Sequence, residues 1–450
     1  DDLQIYHDGS KSLITDSGTG HLEVNTNDFR VQNAAANETI LTGTENGSVD
    51  LYYDNSRKFR TTGVGASVIG TFNVGTGTSI TSSSLKVNDV QYPNSGPLSN
   101  RNLIINGAMQ VAQRNTTSTS GGYQTVDRFK SGSGGIAITQ SQNTITSGAP
   151  YDEGFRYSFK QEVTTASSSG TATWELQYRL EGQTMAQSGW NYKNPNSFIT
   201  WSSWVKSSQS GTFYMYLFLP DMGSSANRNY RFPVTVAANT WTKVTKSIPG
   251  NADLVFDNNN GNGLTIYWVP YYGTTYTGSN ADINAWDALT SSDYLPDFAQ
   301  NWGSTVGATF EVTGVQLEVG SVATPFEHRN YGDDVRQCQR YYTHSYNTYE
   351  TAGADTTSAN PGVISSTAYG TILYASPGTA FFPVEMRGTP SITVYSYTGT
   401  AGKINADATE GTGQAFRIST KSATFARNND NSGVSANVYI ACHYTAEAEL

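Results

Sequence analysis

Residues 310–320 read Phe310-Glu311-Val312-Thr313-Gly314-Val315-Gln316-Leu317-Glu318-Val319-Gly320. Phe310 and Val312 alternate with polar neighbours, and the alternation resumes at Val315 and runs to Val319 before a glycine. A period of two is typical of a β-strand with one buried face. The stretch therefore predicts a strand in an antiparallel sheet, followed by a Pro-Phe anchor and a short polar helix.

The same pattern recurs through residues 96–330. Strands are predicted over Phe155–Glu162, Thr171–Leu180, Phe198–Lys206, Gly211–Leu219, Thr240–Ile248, Gly263–Val269 and Ala308–Val319. Several strands separated by turn signals favour an antiparallel jelly-roll sandwich. Trp201 and Trp204 differ in parity, so we expect one of them to face the core and the other to be exposed or to lie at an interface.

The composition fits an all-β protein built from several units. Charged residues make up 14%, while Gly (44) and Tyr (28) are abundant, which suits sheets joined by many turns. At 450 residues the chain is too long for one ordinary domain. We predict a β-repeat shaft at 1–95, a sandwich at 96–330, a helical connector at 331–345 and a C-terminal β tip domain at 346–450.

Charge and hydropathy exclude several partners. The net charge is −10 and no stretch is densely basic, so we expect no nucleic-acid partner and no anionic membrane surface. The longest apolar run, Phe213 to Leu219, has seven residues, whereas a membrane span needs about 20.

The two cysteines, Cys338 and Cys442, are predicted to be free thiols. Because the chain opens without an initiator Met, we expect a processed or truncated product.

The first 95 residues form a loose repeat of short strands. Asp2-Leu3-Gln4-Ile5-Tyr6 is echoed by Asp50-Leu51-Tyr52-Tyr53-Asp54. The alternating apolar pairs are Leu3 and Ile5, Leu22 and Val24, Phe29 and Val31, Leu51 and Tyr53, Phe72 and Val74, and Leu85 and Val87. Such strands are too sparsely apolar to close a core of their own, so they must stack on neighbours or on other chains. A monomeric β-solenoid is the alternative.

Three motifs resemble bacteriophage tail fibres, especially those of marine phages and cyanophages. The run from Asn102 to Arg114, with Val126-Asp127-Arg128-Phe129, resembles the opening of a carbohydrate-binding-like sandwich in such fibres, and residues 310–342 resemble its close. The end of the chain, from Val438, resembles a fibre tip. The resemblance implies a homotrimer attached to other virion tail or adaptor proteins. It implies assembly in the bacterial cytoplasm and adhesion to bacterial surface polysaccharide.

Catalytic and metal chemistry find little support in the sequence. Glycoside cleavage needs two convergent carboxylates, but only the sequence-local pairs Asp152 with Glu153, Asp282 with Asp287, and Asp293 with Asp297 stand out. The segment from Asp257 to Gly263 fails as an EF-hand loop, because its Gly is at position five and Trp268 is at position twelve. We expect no catalytic residue, no metal and no cofactor. A polysaccharide depolymerase and a purely structural virion spacer remain the alternatives.

Aromatic loops supply the predicted binding residues. Flat rings stack on the faces of sugars while amides and carboxylates bind the hydroxyls, so a Gly-broken segment rich in Tyr favours glycan contact. The predicted carbohydrate-binding residues are Tyr271, Tyr272, Tyr276, Trp286 and Trp302. The structural alternative is that these rings pack against the sandwich rim or a neighbouring chain.

Overall fold

The computed structural model describes most of the chain in full. Backbone and side chains are described for residues 2–63, 65–70, 100–221, 228–279, 281–288, 293–347, 350–357, 362–368, 375–428 and 437–450, and the backbone alone for 72–73, 78–80, 85–87, 90–92, 222 and 374. The chain divides into two compact units, Asp1–Tyr92 and Pro93–Leu450. Val74 of the predicted repeat lies outside the described residues, as do the side chains of Phe72, Leu85 and Val87.

The first unit consists of short antiparallel strands. These are β1 Leu3–His7, β2 Ser12–Asp16, β3 Asp28–Gln32, β4 Thr39–Thr44, β5 Val49–Tyr53, β6 Ser56–Thr62, β7 Gly65–Val68, β8 Phe72–Asn73, β9 Thr78–Ile80, β10 Leu85–Val87 and β11 Val90–Tyr92. They form three sheets: β1-β2, β3 to β7 in order, and β8 to β11 in order. The strand prediction at Leu22 and Val24 is wrong, because this segment pairs with no described strand and both side chains are exposed.

The sheets of the first unit bury few side chains. Ile5, Ile14 and Tyr53 are 75%, 63% and 76% exposed. Asp50 is the exception: it is buried and accepts hydrogen bonds from Arg60 at 2.9 and 3.0 Å. The hydrogen bonds from Arg60 hold the pKa of that carboxyl at about 2. The described strands of this unit therefore leave much apolar surface uncovered.

The second unit contains the predicted sandwich. Its strands are β12 Thr117–Ser118, β13 Phe129–Gly134, β14 Ala137–Thr144, β15 Tyr157–Thr165, β16 Thr173–Glu181, β17 Phe198–Ser207, β18 Gly211–Leu219, β19 Arg228–Val236, β20 Thr242–Pro249, β21 Asn262–Tyr272, β22 Trp286–Ala288 and β23 Thr309–Val319. The front sheet has the order β12-β14-β15-β23-β17-β20 and the back sheet β13-β16-β21-β18-β19-β22. The all-β prediction is confirmed, and all seven predicted strands are present.

The core lies between the two sheets. Alternate residues of each strand point inward, such as Phe310 and Val312 on β23 and Phe213 and Met215 on β18. Trp201 lies in this core at the edge of Trp268, with ring centroids 4.9 Å apart. The opposite parity of Trp204 does not expose it. Trp204 is only 8% exposed, and it packs with Ala108, Ile145 and Phe155 on the outer face of the front sheet. The side chain that was expected to be exposed or to lie at an interface is therefore covered by other residues of the same chain.

The opening and closing motifs of the sandwich are packed together. Asn102 accepts a hydrogen bond from the Leu317 backbone N–H at 3.1 Å and donates to the Val315 carbonyl at 3.1 Å. Gly107 lies so close that a Cβ atom there would stand 2.1 Å from the Val315 carbonyl oxygen. These contacts bind the opening motif to the backbone of β23 at residues 315–317.

In the part of the chain that the structure describes, three short helices and two 3₁₀ turns interrupt the strands. They are α1 Ala149–Asp152, α2 Gly182–Ala186 and α3 Tyr331–Gln339, with turns at Pro220–Met222 and Trp302–Ser304. The predicted helical connector at 331–345 contains α3, and Asn330 caps this helix by accepting a hydrogen bond from the Gly332 N–H. Asp333 and Asp334 lie in its first turn. No helix in the described part of the chain combines the length and apolarity that a membrane crossing requires.

The described C-terminal strands form a last sheet, and their pairings are antiparallel. They are β24 Tyr342–His344, β25 Ile364–Ala368, β26 Tyr374–Phe381, β27 Ser391–Tyr395, β28 Lys403–Ala406, β29 Thr409–Phe416, β30 Ser422–Asn428 and β31 Val438–Glu447. Residues beyond β31 pack on the sandwich. The fully buried Arg128 pairs with Glu449 and lies over the Tyr341 ring, 3.4 Å from its centroid. Arg340, at the end of α3, pairs with Glu181 of β16 at 2.9 Å, so ionic contacts join the sandwich both to the end of the chain and to the helical connector.

Candidate functional site

A cleft lined by tyrosines lies on the outer face of the back sheet. Its volume is about 230 Å³, and its lining residues are Thr173 and Glu175 from β16, Tyr216 from β18, Tyr267 and Tyr272 from β21, and Tyr276 and Tyr294 from the following loop. We call it the tyrosine cleft. The alternation of side chains along β18 explains why a tyrosine lies on this face. Phe213, Met215 and Leu217 point into the core, so Tyr216 must point outward.

The rings of the tyrosine cleft form two groups. Tyr216 and Tyr267 are directly paired across β18 and β21, and their rings are stacked with centroids 4.3 Å apart and an interplanar angle of 6°. Tyr272, Tyr276 and Tyr294 meet edge to face, with centroids 6.0–6.4 Å apart. Such mutual contacts fix the ring planes. The tyrosine cleft therefore presents rings whose orientations are fixed by one another.

A close backbone contact holds the loop that carries Tyr276. The Gly273 N–H donates to the Ala172 carbonyl at 2.7 Å, and the Thr275 N–H donates to the Gly170 carbonyl at 2.8 Å. A Cβ atom on Gly273 would lie 2.5 Å from the carbonyl oxygens of both Ser169 and Gly170. Only glycine fits this approach, and it sets the position of the Tyr276 ring.

Glu175 supplies the carboxyl group of the tyrosine cleft. It accepts hydrogen bonds from the Tyr272 hydroxyl and the Gln177 amide. Burial raises the pKa of Glu175 above its ordinary value, although these hydrogen bonds oppose the shift. Burial also raises the pKa of Tyr272 well above its usual range, so this phenol remains a donor. The tyrosine cleft thus combines ring faces, phenol hydroxyls and one carboxyl, which suits a ligand rich in hydroxyl groups.

Of the five predicted binding residues, two line the tyrosine cleft and three lie elsewhere. Tyr272 and Tyr276 line the tyrosine cleft, although Tyr272 is largely buried. Tyr271 lies outside it, with its ring against Phe298 at 6.0 Å. Trp286 packs on Tyr230 and donates its indole N–H to the Pro249 carbonyl at 2.6 Å.

The prediction that Trp302 contacts carbohydrate is wrong. This side chain is fully buried, packs edge to face on Trp174 at 4.8 Å, and donates its indole N–H to the Thr309 carbonyl at 3.0 Å. A sugar cannot reach a ring that has no exposed face. The 3₁₀ turn at Trp302–Ser304 directs the indole inward, which a loop assignment from sequence does not reveal.

Sequence reasoning missed five residues of the tyrosine cleft. They are Thr173, Glu175, Tyr216, Tyr267 and Tyr294. A signal for Tyr216 was present, because Tyr214, Tyr216 and Phe218 alternate with the core residues of β18. An aromatic series on the face opposite the core indicates a functional or covered surface.

Glu153 and Asp287, which belong to two of the three sequence-local carboxylate pairs, make structural contacts. Glu153 pairs with Lys243 at 2.8 Å and accepts the Trp204 indole N–H at 3.0 Å. Asp287 pairs with the buried Arg231 at 3.1 Å. Within the described residues, no group of three or more His, Cys, Asp or Glu side chains is arranged to hold a metal ion.

Comparison with known proteins gives structural neighbours only. No protein-family model matches the sequence, and no curated protein matches it. The tailspike protein 4 enzymatically active domain of bacteriophage CBA120 aligns at 14% identity over 51% of this chain and 24% of that chain, with a TM-score of 0.27. The alignment thus spans about a quarter of the tailspike chain.

Two carbohydrate-binding modules from Clostridium thermocellum align over nearly their whole length. The family 11 module, solved with a β-1,3-1,4-mixed-linked tetrasaccharide, aligns at 13% identity over 46% of this chain and 98% of its own, with a TM-score of 0.24. The C-terminal family 22 module of Xyn10B aligns at 15% identity over 51% and 99%, with a TM-score of 0.26. Likeness at this level bears on neither the ligand nor the activity of this chain.

Proposed function

We propose that this protein is a virion fibre adhesin that binds bacterial surface glycans without cleaving them. The tyrosine cleft is the observation that carries the proposal. It offers fixed ring faces beside the Glu175 carboxyl and the Tyr272 hydroxyl. Sugars present apolar faces and hydroxyl edges, so a surface with both features is chemically matched to them.

A binding role suits the tyrosine cleft better than hydrolysis. Glycoside hydrolysis uses two carboxyl groups about 5–10 Å apart, and Glu175 is the one carboxylate among the described residues that line the tyrosine cleft. Its hydrogen bonds with Tyr272 and Gln177 hold it as a fixed acceptor. We therefore favour adhesion over the depolymerase alternative.

The virion role rests on the resemblance and on the first unit. The opening and closing motifs that resemble phage fibres are joined through Asn102 and Leu317, which supports one intact module between them. The exposed apolar strands at Ile5 and Tyr53 support association with other copies of the chain. Three copies would bind a glycan-coated surface by avidity even where each site is weak.

The test of the tyrosine cleft is a paired substitution. Tyr276→Ala and Tyr294→Ala are combined, because both rings are half-buried and neither belongs to the main core. Binding is measured on a glycan array and by titration with soluble neutral hexasaccharides of glucose, xylose and mannose. Aromatic stacking on nucleic-acid bases is worth about 1–3 kcal/mol per ring. At the lower end of that range, we expect at least a tenfold loss of affinity.

The matched control is Tyr151→Ala, which removes an exposed tyrosine that does not line the tyrosine cleft. It should leave both affinity and melting temperature unchanged. Unchanged binding in the double variant would refute the tyrosine cleft as the site. New reducing ends after incubation of the wild type with these glycans would instead support the depolymerase.

A further inference from the structure

A second cavity lies on the outer face of the front sheet. Its volume is about 500 Å³, and it opens between the loop 143–149 after β14 and the loop 239–241 before β20. Lys206 of β17 and Glu311 of β23 form its floor. We call it the Trp241 cavity. It is separate from the tyrosine cleft, which lies on the other sheet.

The floor of the Trp241 cavity is a preorganised polar pair. The buried Glu311 carboxylate pairs with Lys206 at 2.7 Å. Its second oxygen accepts hydrogen bonds from the Ser158 hydroxyl at 2.7 Å and the Asn143 amide at 3.1 Å. One donor and one acceptor thus stand side by side, fixed by neighbouring strands. Vicinal hydroxyls of a pyranose have a similar separation, and each can donate and accept.

Trp241 forms one wall of the Trp241 cavity. Its half-buried indole packs on the small cluster that contains Ile145 and Trp204. A Cβ atom on Gly148, whose φ is +90°, would lie 3.5 Å from the indole Cδ1 atom. The Lys206 ammonium lies 4.8 Å from the ring centroid. The small cluster and the Lys206 ammonium, which lies over the ring, therefore hold the indole in place while part of it remains accessible.

The charged groups that line the Trp241 cavity favour an uncharged ligand. Lys206 and Glu311 neutralise each other, and the rim consists of the uncharged residues Thr146, Ser147 and Thr240. An anionic ligand would meet the Glu311 carboxylate, and a cationic one would compete with Lys206. A neutral ligand with a flat apolar face and several hydroxyls faces neither conflict.

We infer that the Trp241 cavity is a second glycan-binding site that takes a neutral sugar residue. The indole stacks on the sugar face, while Lys206 and Glu311 bind a pair of adjacent hydroxyls. The inference rests on the proposed function for the class of ligand, but on different residues and a different sheet. With one site on each outer face, a single sandwich would bind two glycan chains.

The test observes Trp241 directly. The chain has eight tryptophans, and incorporation of 5-fluorotryptophan gives each a ¹⁹F signal. The Trp241 signal is assigned by its loss in Trp241→Phe. The full chain is titrated with neutral hexasaccharides of glucose, xylose and mannose up to about 10 mM, because one weak sugar site is expected to bind in the millimolar range.

We expect at least one of these glycans to shift the Trp241 signal, with the same midpoint in the Tyr276→Ala/Tyr294→Ala variant. Asn239→Ala, at the rim, should weaken this midpoint several-fold, whereas Tyr151→Ala, beyond the rim, should not change it. Inorganic phosphate and a hexamer of galacturonate should give no shift.

Three results would overturn the inference. The first is a Trp241 signal that no neutral glycan moves, and the second is an equal response to phosphate or galacturonate. The third is loss of the shift in the tyrosine-cleft variant. Failure of the proposed function has a different outcome, because the tyrosine-cleft variant would then bind as the wild type does, whatever the Trp241 signal shows.

Discussion

The direction in which each aromatic ring points decides its role in this protein. On β18, Phe213 and Met215 enter the core while Tyr216 faces outward. On β21, Tyr272 reaches the tyrosine cleft but its neighbour Tyr271 packs beside Phe298. Within a strand, the sequence shows which side chains share a face of the sheet, because side chains alternate between the two faces. In a turn such as the one at Trp302 the alternation is lost, so the direction of the side chain cannot be predicted in this way. Loop tyrosines could therefore be proposed as a group, but not sorted individually.

Trp302 tests this distinction. Trp302→Ala removes a fully buried indole that contacts Trp174 and donates to Thr309. Truncation of a core Trp costs about 3–5 kcal/mol of unfolding free energy, so we expect a large drop in stability by chemical denaturation. Trp286→Ala is the comparison, because its indole is only half-buried at an edge strand. Equal losses in the two variants would show that the burial of Trp302 is not decisive.

The buried His443 predicts a pH-dependent stability. Its ring hydrogen-bonds with Ser345 at 2.9 Å and Thr356 at 3.0 Å, and stacks on Tyr346 at 4.1 Å. Burial, helped by His344, lowers its pKa from 6.5 to about 4. The unfolded state therefore binds a proton below pH 6.5 that the folded state releases. Stability should fall as the pH drops from about 6.5 to about 4, by up to about 3 kcal/mol.

The measurement is the free energy of unfolding at several pH values between 4 and 7. His443→Gln keeps a donor and an acceptor for the two hydroxyls but cannot titrate, so its curve should be flatter than that of the wild type. His344 also has a lowered pKa, and the slope that remains should fall further in a variant lacking both histidines. Parallel curves for wild type and His443→Gln would contradict the prediction.

At the scale of elements, the sequence predicts strands well and covering segments poorly. The alternation at Phe198–Lys206 and Gly211–Leu219 matches β17 and β18 almost to the residue. Five strands of the sandwich were not predicted, namely β12, β13, β14, β19 and β22. The sequence of β13, for example, contains two glycines and little alternation. The tyrosine cleft and the Trp241 cavity both depend on loops that cross a sheet face. Their positions follow from contacts between residues far apart in the chain, such as Gly273 with Gly170, and no local pattern encodes these.

Gly273 supplies a prediction for the loop as an element. Gly273→Ala would place a methyl group 2.5 Å from two carbonyl oxygens, so the loop must move and carry Tyr276 with it. We expect at least a several-fold loss of glycan affinity, with little change in the near-UV signal of the core. Gly388→Ala is the control, because its nearest atom would be an ordinary 3.9 Å away. Unchanged glycan affinity in Gly273→Ala would show that the position of this loop does not control glycan binding.

At the scale of the whole chain, the two compact units pose different problems. The second unit has its own large core, and buried ionic contacts such as Arg128 with Glu449 join its sandwich to its C-terminal strands. Breaking such a buried pair is costly, which favours one cooperative unit. The first unit has no comparable cluster among its described residues, and exposed apolar strands of this kind lead us to expect a partner that covers them.

We predict that this partner is another copy of the chain and that the assembly is a trimer. Ile5 and Ile14 are directly paired across β1 and β2, and both are well exposed on one face of that hairpin. Light scattering of the full chain at micromolar concentration should give about three times the 48.6 kDa of one copy. Ile5→Asp combined with Ile14→Asp should weaken the assembly, because association would bury two uncompensated charges.

The matched control lies on the opposite face of the same hairpin. Gln4 and Thr15 are also directly paired, and Gln4→Asp with Thr15→Asp adds the same charge without touching the isoleucines. This control should keep the trimer mass if the isoleucine face is the interface. Equal dissociation in both variants would point to charge rather than to burial of that face. A well-folded wild type with the mass of one chain would refute the trimer and leave the monomeric solenoid as the reading of the first unit.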